Sequence, residues 1–354
     1  MMKKRLICCV VLIGCLIMGL STGCSKEKKV DAAGNPVTVI RLAHDNNVNT
    51  PVHKAFLKFK EDVEKASDGS IEVIIFPSAQ MGSVSDTFEQ TRRGDIEMSA
   101  STTSNFTSTI PEFSVWESYY LFDDSEHAAR VLDGKAGDRL MKPLENQNLE
   151  GIGYMEIGFR NFSNSKKPIE KVEDLFNLKI RGYNPLQIKA WEALDVTMSA
   201  VSFNELYTSL QQNLIDGQEC ATSSFYTEKF YETQKYWSLT KHVYTNFLWY
   251  ANKDFMNSLS NEEREIIMQA AQDSIVYERQ LVAETEEDAL QKIESAGVQV
   301  NEVSRETKRE MSEKMNESIK SDIIQKCGQE IYDYVMEQVE LERNNFDQVS
   351  GESK

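Results

Sequence analysis

Two arginines, Arg160 and Arg181, stand twenty-one residues apart, and each closes a predicted strand. The strands are Gly151–Arg160 and Asn177–Arg181, with a loop and a short helix-like stretch, Glu170–Phe176, between them. We expect the two strands to be parallel neighbours, so that both guanidinium groups face one edge of the sheet, where ligands of α/β proteins gather. Guanidinium groups are planar, permanently charged and suited to binding a carboxylate bidentately. The pattern indicates a carboxylate site, although an arginine at a strand end is also commonly a solvated surface residue.

Two further residues are expected at the same edge in the first part of the chain. His44 and Asp45 follow the first predicted strand, Val37–Ala43. His44 could contact a ligand hydroxyl or carboxylate, or could make ordinary hydrogen bonds within its loop. Asp45 would repel a carboxylate, so we expect it to accept hydrogen bonds from ligand hydroxyls. Ser101, which ends a later strand with Ala100, is another candidate.

The elements that must position these residues alternate in type. Strands are predicted at Val37–Ala43, Ile71–Phe76 and Ile96–Ala100, with one helix that begins after Thr50 and another at about Asp86–Arg93. This alternation predicts a mostly parallel sheet with helices on its faces. The chain is too long for one comfortable core, so two lobes are expected.

A long helix is predicted near the C-terminus. Its capping box is Ser260–Glu263, and no Pro or Gly follows until Gly297. The apolar residues keep no clean heptad, which argues against a coiled coil. We expect this helix to pack across both lobes.

The N-terminus has the features of an export signal. A basic start precedes a fifteen-residue apolar stretch, residues 6–20, which is shorter than the roughly 20 residues that span a bilayer. The segment before Cys24 resembles a bacterial lipobox, with its aliphatic residue displaced by one position. We expect removal of residues 1–23 and lipidation of Cys24, which would anchor an extracytoplasmic protein to the cell membrane; an ordinary cleaved signal with an incidental cysteine is the alternative. Residues 24–36 are predicted to be a flexible tether.

Composition excludes several classes of function. The chain has 39 Lys and Arg against 56 Asp and Glu, a net charge of −17, and the signal carries three of the cations and none of the acids. Binding to nucleic acid or electrostatic adhesion to anionic lipid is therefore not expected. The four histidines have no metal-ligand spacing, and HExxH, GxSxG and a complete dinucleotide loop are missing. We expect no metal, no cofactor and no enzymatic activity. Whether Cys220 and Cys327 pair is left open.

Five segments of the chain form a recognisable series. They are FPSAQMG (Phe76–Gly82), RRGDIEMSA (Arg92–Ala100), GFRNFSNSKKPIEKVEDLFNLKIR (Gly158–Arg181), FNELYTSLQQNLIDGQE (Phe203–Glu219) and KFYETQKYWSLTKHVY (Lys229–Tyr244). Together, in this order and spacing, they resemble the solute-binding proteins of TRAP transporters, the DctP family, and the likeness covers about residues 37–345.

This resemblance implies an α/β, two-lobed fold of the periplasmic-binding-protein type II-like class, with crossing strands and one long helix spanning both lobes. Lobe I is predicted at 37–157 plus 246–284, lobe II at 158–245 plus 285–345, and a disordered tail at 346–354. The implied function is capture of an organic acid, a sugar acid or a C4-dicarboxylate, and its delivery to a sodium-driven membrane permease. We expect a monomer. A sensor that presents its ligand to a receptor kinase is an alternative that uses the same site.

The family also implies roles for particular residues. Arg181 matches the arginine that makes the main salt bridge to the solute carboxylate, Arg160 the arginine that assists it, and Phe203 a phenylalanine that packs on the ligand. The family commonly has asparagine where this chain has Cys220, so either the ligand lacks a polar group there or the cysteine is a buried filler. Asn246, in the crossover segment, could supply an amide.

Charge and polarity indicate how the cleft could capture its ligand and which ligand it favours. Without ligand, the like charges of Arg160 and Arg181 are expected to keep the cleft hydrated and open. Asp45 and the lack of a third cleft arginine favour a sugar acid slightly over a C4-dicarboxylate.

Overall fold

A computed structural model describes Val30, Gly34 and residues 36–351, except for the side chains of residue 204 and of residues 345–351. The predicted signal, Cys24 and most of the tether lie outside the described residues. Within the described part of the chain there are nine strands and eleven α-helices. The strands are β1 (Thr38–His44), β2 (Ile71–Phe76), β3 (Met98–Thr102), β4 (Leu149–Asn164), β5 (Lys179–Gly182), β6 (Thr197–Ala200), β7 (Gly217–Ala221), β8 (Tyr236–Asn252) and β9 (Gln299–Glu302). The helices are α1 (Pro51–Ala66), α2 (Val84–Arg93), α3 (Ser125–Leu132), α4 (Lys135–Met141), α5 (Pro185–Glu192), α6 (Phe203–Gln211), α7 (Thr222–Thr227), α8 (Lys253–Ser258), α9 (Asn261–Ser295), α10 (Arg305–Cys327) and α11 (Gln329–Gly351).

One mixed sheet joins the two ends of the molecule, in the order β2-β1-β3-β8-β4-β7-β5-β6, with β9 beside β8. At one end β1 is parallel to β2 and β3, as the alternating pattern predicts. At the other end β5 is parallel to β6 and β7. The long antiparallel pair β4 and β8 connects these ends. This is the expected two-lobed α/β fold with crossing strands, and its lobe boundaries remain predictions.

The prediction that the strands carrying the two arginines are parallel is wrong. β7 lies between β4 and β5, and it is antiparallel to β4 but parallel to β5. β4 also does not end at Arg160 but continues to Asn164, because it is a crossing strand that passes through the sheet. Arg160 nevertheless lies beside the carboxyl end of β7, since it pairs with Ala221, the last residue of that strand. The two arginines therefore still reach one edge.

Crossing strand β4 is irregular next to the site. Its register against β8 shifts between Glu156 and Gly158 and again between Arg160 and Phe162. Gly158 has φ of +99°, a conformation that side-chain-bearing residues rarely adopt. These irregularities change which side chains of β4 face the cleft just where Arg160 must be placed.

Helix α9 contributes to both ends of the hydrophobic core. Its predicted capping box forms, since the Ser260 hydroxyl accepts from the Glu263 backbone N–H and the Glu263 carboxylate accepts from the Ser260 N–H. Near its start, Ile267 and Ile275 pack in a cluster with β1 and α1, and near its end Ile293 packs with residues of α6 and α7. The prediction that one long helix packs across both lobes is confirmed.

Ser202 and Glu205 have the sequence spacing of a capping box at the start of α6, but the box does not form, because the Ser202 hydroxyl donates directly to the Glu205 carboxylate at 2.7 Å. The tail predicted to be disordered from residue 346 continues α11 to Gly351, since no helix-breaking residue interrupts the segment; residues 352–354 lie outside the description. Among the described helices, none has both the length and the apolar character needed to cross a membrane.

Candidate functional site

A cavity of about 340 Å³ opens where the β1 and β3 ends face β4, β5 and α6. Its walls come from the segments that follow β1 and β3, from the crossing strands β4 and β8, and from the end of the sheet that carries Arg181. The lining residues are Asp45, Asn46, Thr102, Thr103, Ser104, Asn105, Trp116, Glu117, Ile157, Arg160, Arg181, Tyr183, Phe203, Val243, Tyr244, Thr245, Asn246 and Phe247. The volume suits a small organic molecule.

Arg181 presents a buried positive charge to this cavity. It is only 9% exposed, and its Nε donates to the Val201 carbonyl oxygen at 3.0 Å. That bond fixes the orientation of the guanidinium and leaves its two terminal nitrogens for other partners. Among the described residues, none provides a carboxylate oxygen within 4.0 Å of Arg181. Burial, together with the neighbouring charge of Arg160, lowers the pKa of Arg181, but a guanidinium stays protonated in proteins.

Arg160 already has an anionic partner, which the sequence analysis missed. Its Nε donates to Oε2 of Glu219 in a very short contact, and its NH2 group donates to the Glu219 carbonyl oxygen at 2.6 Å. Glu219 is 2% exposed, and its carboxylate also meets the His242 ring (3.1 Å) and Gln187 Nε2 (3.3 Å).

The ionisation of this group follows from its surroundings. Burial alone would raise the pKa of Glu219, but the charge of Arg160 and the hydrogen bond from His242 outweigh it and hold that pKa well below the usual range. Burial lowers the pKa of His242, so the imidazole is neutral and donates its Nε2 hydrogen to Glu219. The expectation of two uncompensated like charges is therefore wrong: Glu219 neutralises Arg160, and Arg181 carries the free positive charge.

Aromatic rings flank the arginines. The guanidinium carbon of Arg181 lies 5.1 Å from the ring centre of Tyr183 and 5.4 Å from that of Phe203. Arg160 lies 5.3 Å from the same Tyr183 ring. Such contacts favour the charged guanidinium and restrict its movement. Phe203 begins α6 and keeps 42% of its surface exposed, which leaves its other face free toward the cavity.

Hydroxyl, amide and acidic groups line the other walls. Asp45 is exposed to the cavity, and its Oδ2 accepts from the Ser101 hydroxyl at 3.3 Å. Asn246, on β8, accepts from the buried Thr103 hydroxyl at 2.6 Å through Oδ1, which directs its amide nitrogen to a different partner. Glu117 ends a 3₁₀ helix, Pro111–Glu117, and burial raises the pKa of its carboxyl group. These walls suit a ligand with several hydroxyl groups.

Three predicted site residues do not line the cavity. His44 is buried behind Asp45 with its Nε2 3.1 Å from His53 Nδ1, and burial beside His53 lowers its pKa to about 3. Ser101 lies behind the lining residues, where its hydroxyl donates a hydrogen bond to Asp45 and accepts one from the Asn105 amide. Cys220 packs into an apolar cluster beside α6, as the filler interpretation expects. Alternate residues of β7 face opposite ways, so its neighbour Glu219, not Cys220, turns to the arginines. Cys220 and Cys327 are free thiols.

Sequence reasoning missed several polar groups at the site, among them Glu219, Glu117 and Tyr183. Glu219 could have been found, because it ends the family-like segment Phe203–Glu219 and precedes the corner between a strand and a helix. Glu117 and Tyr183 come from irregular segments where no periodic pattern predicts direction.

Comparisons with known proteins agree with this geometry. A model of DctP, bacterial extracellular solute-binding protein family 7, matches residues 42–326. The 2,3-diketo-L-gulonate-binding periplasmic protein YiaO of Escherichia coli is 33% identical over 262 residues, 74% of this chain and 80% of that protein.

Two solved structures share the fold. The sugar acid binding protein DctPAm from Advenella mimigardefordensis, in complex with galactonate, is 34% identical with a TM-score of 0.79, covering 86% of this chain and 99% of that one. A TRAP periplasmic solute binding protein from Sulfurospirillum deleyianum with bound succinate is 28% identical with a TM-score of 0.75, covering 84% and 98%.

Proposed function

Because this chain belongs to the DctP family of bacterial extracellular solute-binding proteins, which serve TRAP transporters, we propose that its cavity captures a carboxylate-bearing organic acid for a sodium-driven permease. The candidate ligands are sugar acids and C4-dicarboxylates, the two chemical classes bound by its structural relatives. No chemical change of the solute is part of this proposal.

The observation that carries the proposal is the state of Arg181. A nine-tenths-buried guanidinium without a carboxylate partner among the described residues is costly, because a buried charge requires a counterion. A ligand carboxylate supplies that counterion and can bond both terminal nitrogens at once. Arg160 is already paired with Glu219, so its contribution to the ligand is secondary: the electrostatic field of its charge and any N–H group that Glu219 does not occupy.

The walls of the cavity explain how binding can close the cleft. Asp45 and Thr102 come from the β1 and β3 end, whereas Arg181 and Phe203 come from the other end of the sheet. A ligand that touches both walls favours the closed form by the free energy of the additional contacts. Shifting a two-state balance from 1:99 to 99:1 takes about 5.5 kcal/mol, which a bidentate carboxylate–Arg181 pair and several hydroxyl contacts together can supply, at about 0.5–3 kcal/mol for each bond.

A direct test is the identity of the retained solute. The mature protein is purified gently, the solute is released by denaturation and identified by mass spectrometry, and its affinity is then measured by calorimetry on protein stripped of ligand. We expect an organic acid, bound at a ratio of one and recovered unchanged after incubation. A solute without a carboxylate, or one that the protein converts, would contradict the proposal.

Attachment to the membrane is a separate proposal, since its residues lie outside the described part. We propose that Cys24 is lipidated after removal of residues 1–23, which would keep the receptor near its permease as a monomer. Mass spectrometry of the mature N-terminus checks the modification. Cys24→Ser is expected to move the protein from the membrane fraction to the soluble fraction, and an unchanged distribution would contradict the anchor.

A further inference from the structure

Two carboxylates share the cavity with the two arginines. Asp45 follows β1, and Glu117 ends the 3₁₀ helix Pro111–Glu117, so they reach the cavity from different segments. Neither has a cationic group within 4.0 Å among the described residues. Glu117 accepts from the Asn184 amide nitrogen at 3.4 Å, and Asp45 accepts from the Ser101 hydroxyl at 3.3 Å and from its own backbone N–H. Each carboxylate lines the cavity and keeps acceptor positions that these contacts do not use.

Charge within the site then limits what can be bound. The two arginines bring two positive charges, and Glu219, Glu117 and Asp45 bring three negative ones when ionised. Arg181 is the one cation of the lining that has no anionic partner among the described residues. A first ligand carboxylate pairs with it. A second carboxylate would meet no remaining unpaired cation of the lining and would instead approach Asp45 or Glu117, and like charges repel each other.

Hydroxyl groups, in contrast, match these positions. A carboxylate accepts hydrogen bonds from hydroxyl donors through four lone-pair sites. The neighbouring wall adds Thr102, Ser104 and Asn105, which both donate and accept. A chain of hydroxylated carbons could satisfy this wall while its single carboxylate binds Arg181.

We infer that Asp45 and Glu117 are specificity-determining residues that make this cavity select hydroxylated monocarboxylates and reject dicarboxylates. This inference rests on the proposed function and narrows its ligand class. Selection by repulsion is as effective as selection by attraction, because specificity is a difference between two affinities.

The sharpest test uses ligand pairs that differ mainly in the second acid group. D-galactonate and galactarate share their hydroxylated carbons and differ at one end, where a CH₂OH group is replaced by a carboxylate. D-erythronate and meso-tartrate form a four-carbon pair of the same kind. Calorimetry on the ligand-free mature protein at pH 7.5 is expected to give at least about tenfold weaker binding of the dicarboxylate in whichever pair binds.

Variants assign the effect to the two residues. Glu117→Gln and Asp45→Asn keep size and hydrogen-bonding capacity but remove the charge, so each is expected to reduce the preference at least threefold, mainly by improving dicarboxylate binding. Glu112→Gln, on the same 3₁₀ helix but outside the lining, is the matched control and should leave the preference unchanged. Thermal melts confirm that each variant is folded, and either of the two test variants suffices if the other does not fold.

The outcomes separate this inference from the function it rests on. Equal or tighter binding of a dicarboxylate by the wild type overturns the selectivity while leaving acid capture intact. A preference that persists unchanged in both variants overturns the roles of Asp45 and Glu117. If none of the four acids binds, the inferred selection of such hydroxylated acids falls, whereas the proposed capture of an acid is decided separately by the retained solute.

Discussion

Removing the guanidinium of Arg181 should abolish tight ligand binding and leave the fold intact. The side chain is nine-tenths buried, its Nε is held by the Val201 carbonyl at 3.0 Å, and its terminal nitrogens have no carboxylate partner among the described residues. Two charge-assisted hydrogen bonds to a ligand carboxylate are worth about 1.5–3 kcal/mol each. Their loss corresponds to roughly 10²- to 10⁴-fold weaker binding.

The assay is calorimetric titration of ligand-free protein with the solute identified by mass spectrometry. Arg181→Ala is compared with Arg181→Lys, which keeps the charge but loses the planar fork, and Lys should recover only part of the affinity. Arg92→Ala is the control, because Arg92 is an exposed surface arginine paired with Glu89.

Melting temperature separates binding from folding in this experiment. Without ligand, Arg181→Ala is expected to be at least as stable as wild type, because it removes a buried charge that has no protein counterion among the described residues. Undiminished affinity of Arg181→Ala would refute the reasoning. So would a large loss of stability in the ligand-free state, since it would mean that the arginine serves the fold.

Three other variants follow from the same geometry. Arg160→Met should lower the free energy of unfolding in urea by about 3–5 kcal/mol, because it leaves the buried carboxylate of Glu219 without a counterion. Adding Glu219→Gln should restore much of the lost stability. Additive losses in the double variant would argue against this pair. Phe203→Ala should weaken ligand binding by about 1–2 kcal/mol with little change in melting temperature, since the ring is 42% exposed; calorimetry beside a thermal melt checks both. Glu278→Gln should stabilise the protein on the order of 1–3 kcal/mol near pH 8, because burial, with the nearby charge of Glu156, raises the pKa of Glu278 well above its usual value. A raised carboxyl pKa means that the native state of the wild type binds a proton that the unfolded state releases, so wild-type stability falls as pH rises above the unfolded pKa of roughly 4.3. Urea unfolding should therefore show a smaller stability gain from Glu278→Gln at pH 5 than at pH 8. An equal gain at both pH values would contradict this account.

Periodic segments were predictable because burial imposes their pattern. The capped helices after Thr50 and Ser260, and the β-α-β-α-β alternation at the start, need only local rules for caps and apolar spacing. The sequence pattern predicted that β4 ends at Arg160. Its continuation to Asn164 could not be predicted, because it depends on pairing with β7 and β8, which lie far away in sequence.

Within the site, residue type was easier to predict than side-chain direction. Arg181 and Phe203 line the cavity, as the family pattern implied, whereas Cys220 does not. A strand turns successive side chains to opposite faces, and only the register against β4 decides that Glu219 meets Arg160. The sequence could not reveal that one arginine is already neutralised, since this requires two strands to be brought together.

Helix α9 restricts how the length of this chain can change. Its first half is fixed against the β1 and α1 cluster through Ile267 and Ile275, and its last turns are fixed beside α6 through Ile293. Inserting or deleting one residue between these anchors would rotate everything downstream by about 100° and move it by about 1.5 Å along the axis. Ile293 would then point to water while a polar neighbour replaced it. Homologues should therefore conserve the number of residues between these two anchors and accumulate their insertions in surface loops.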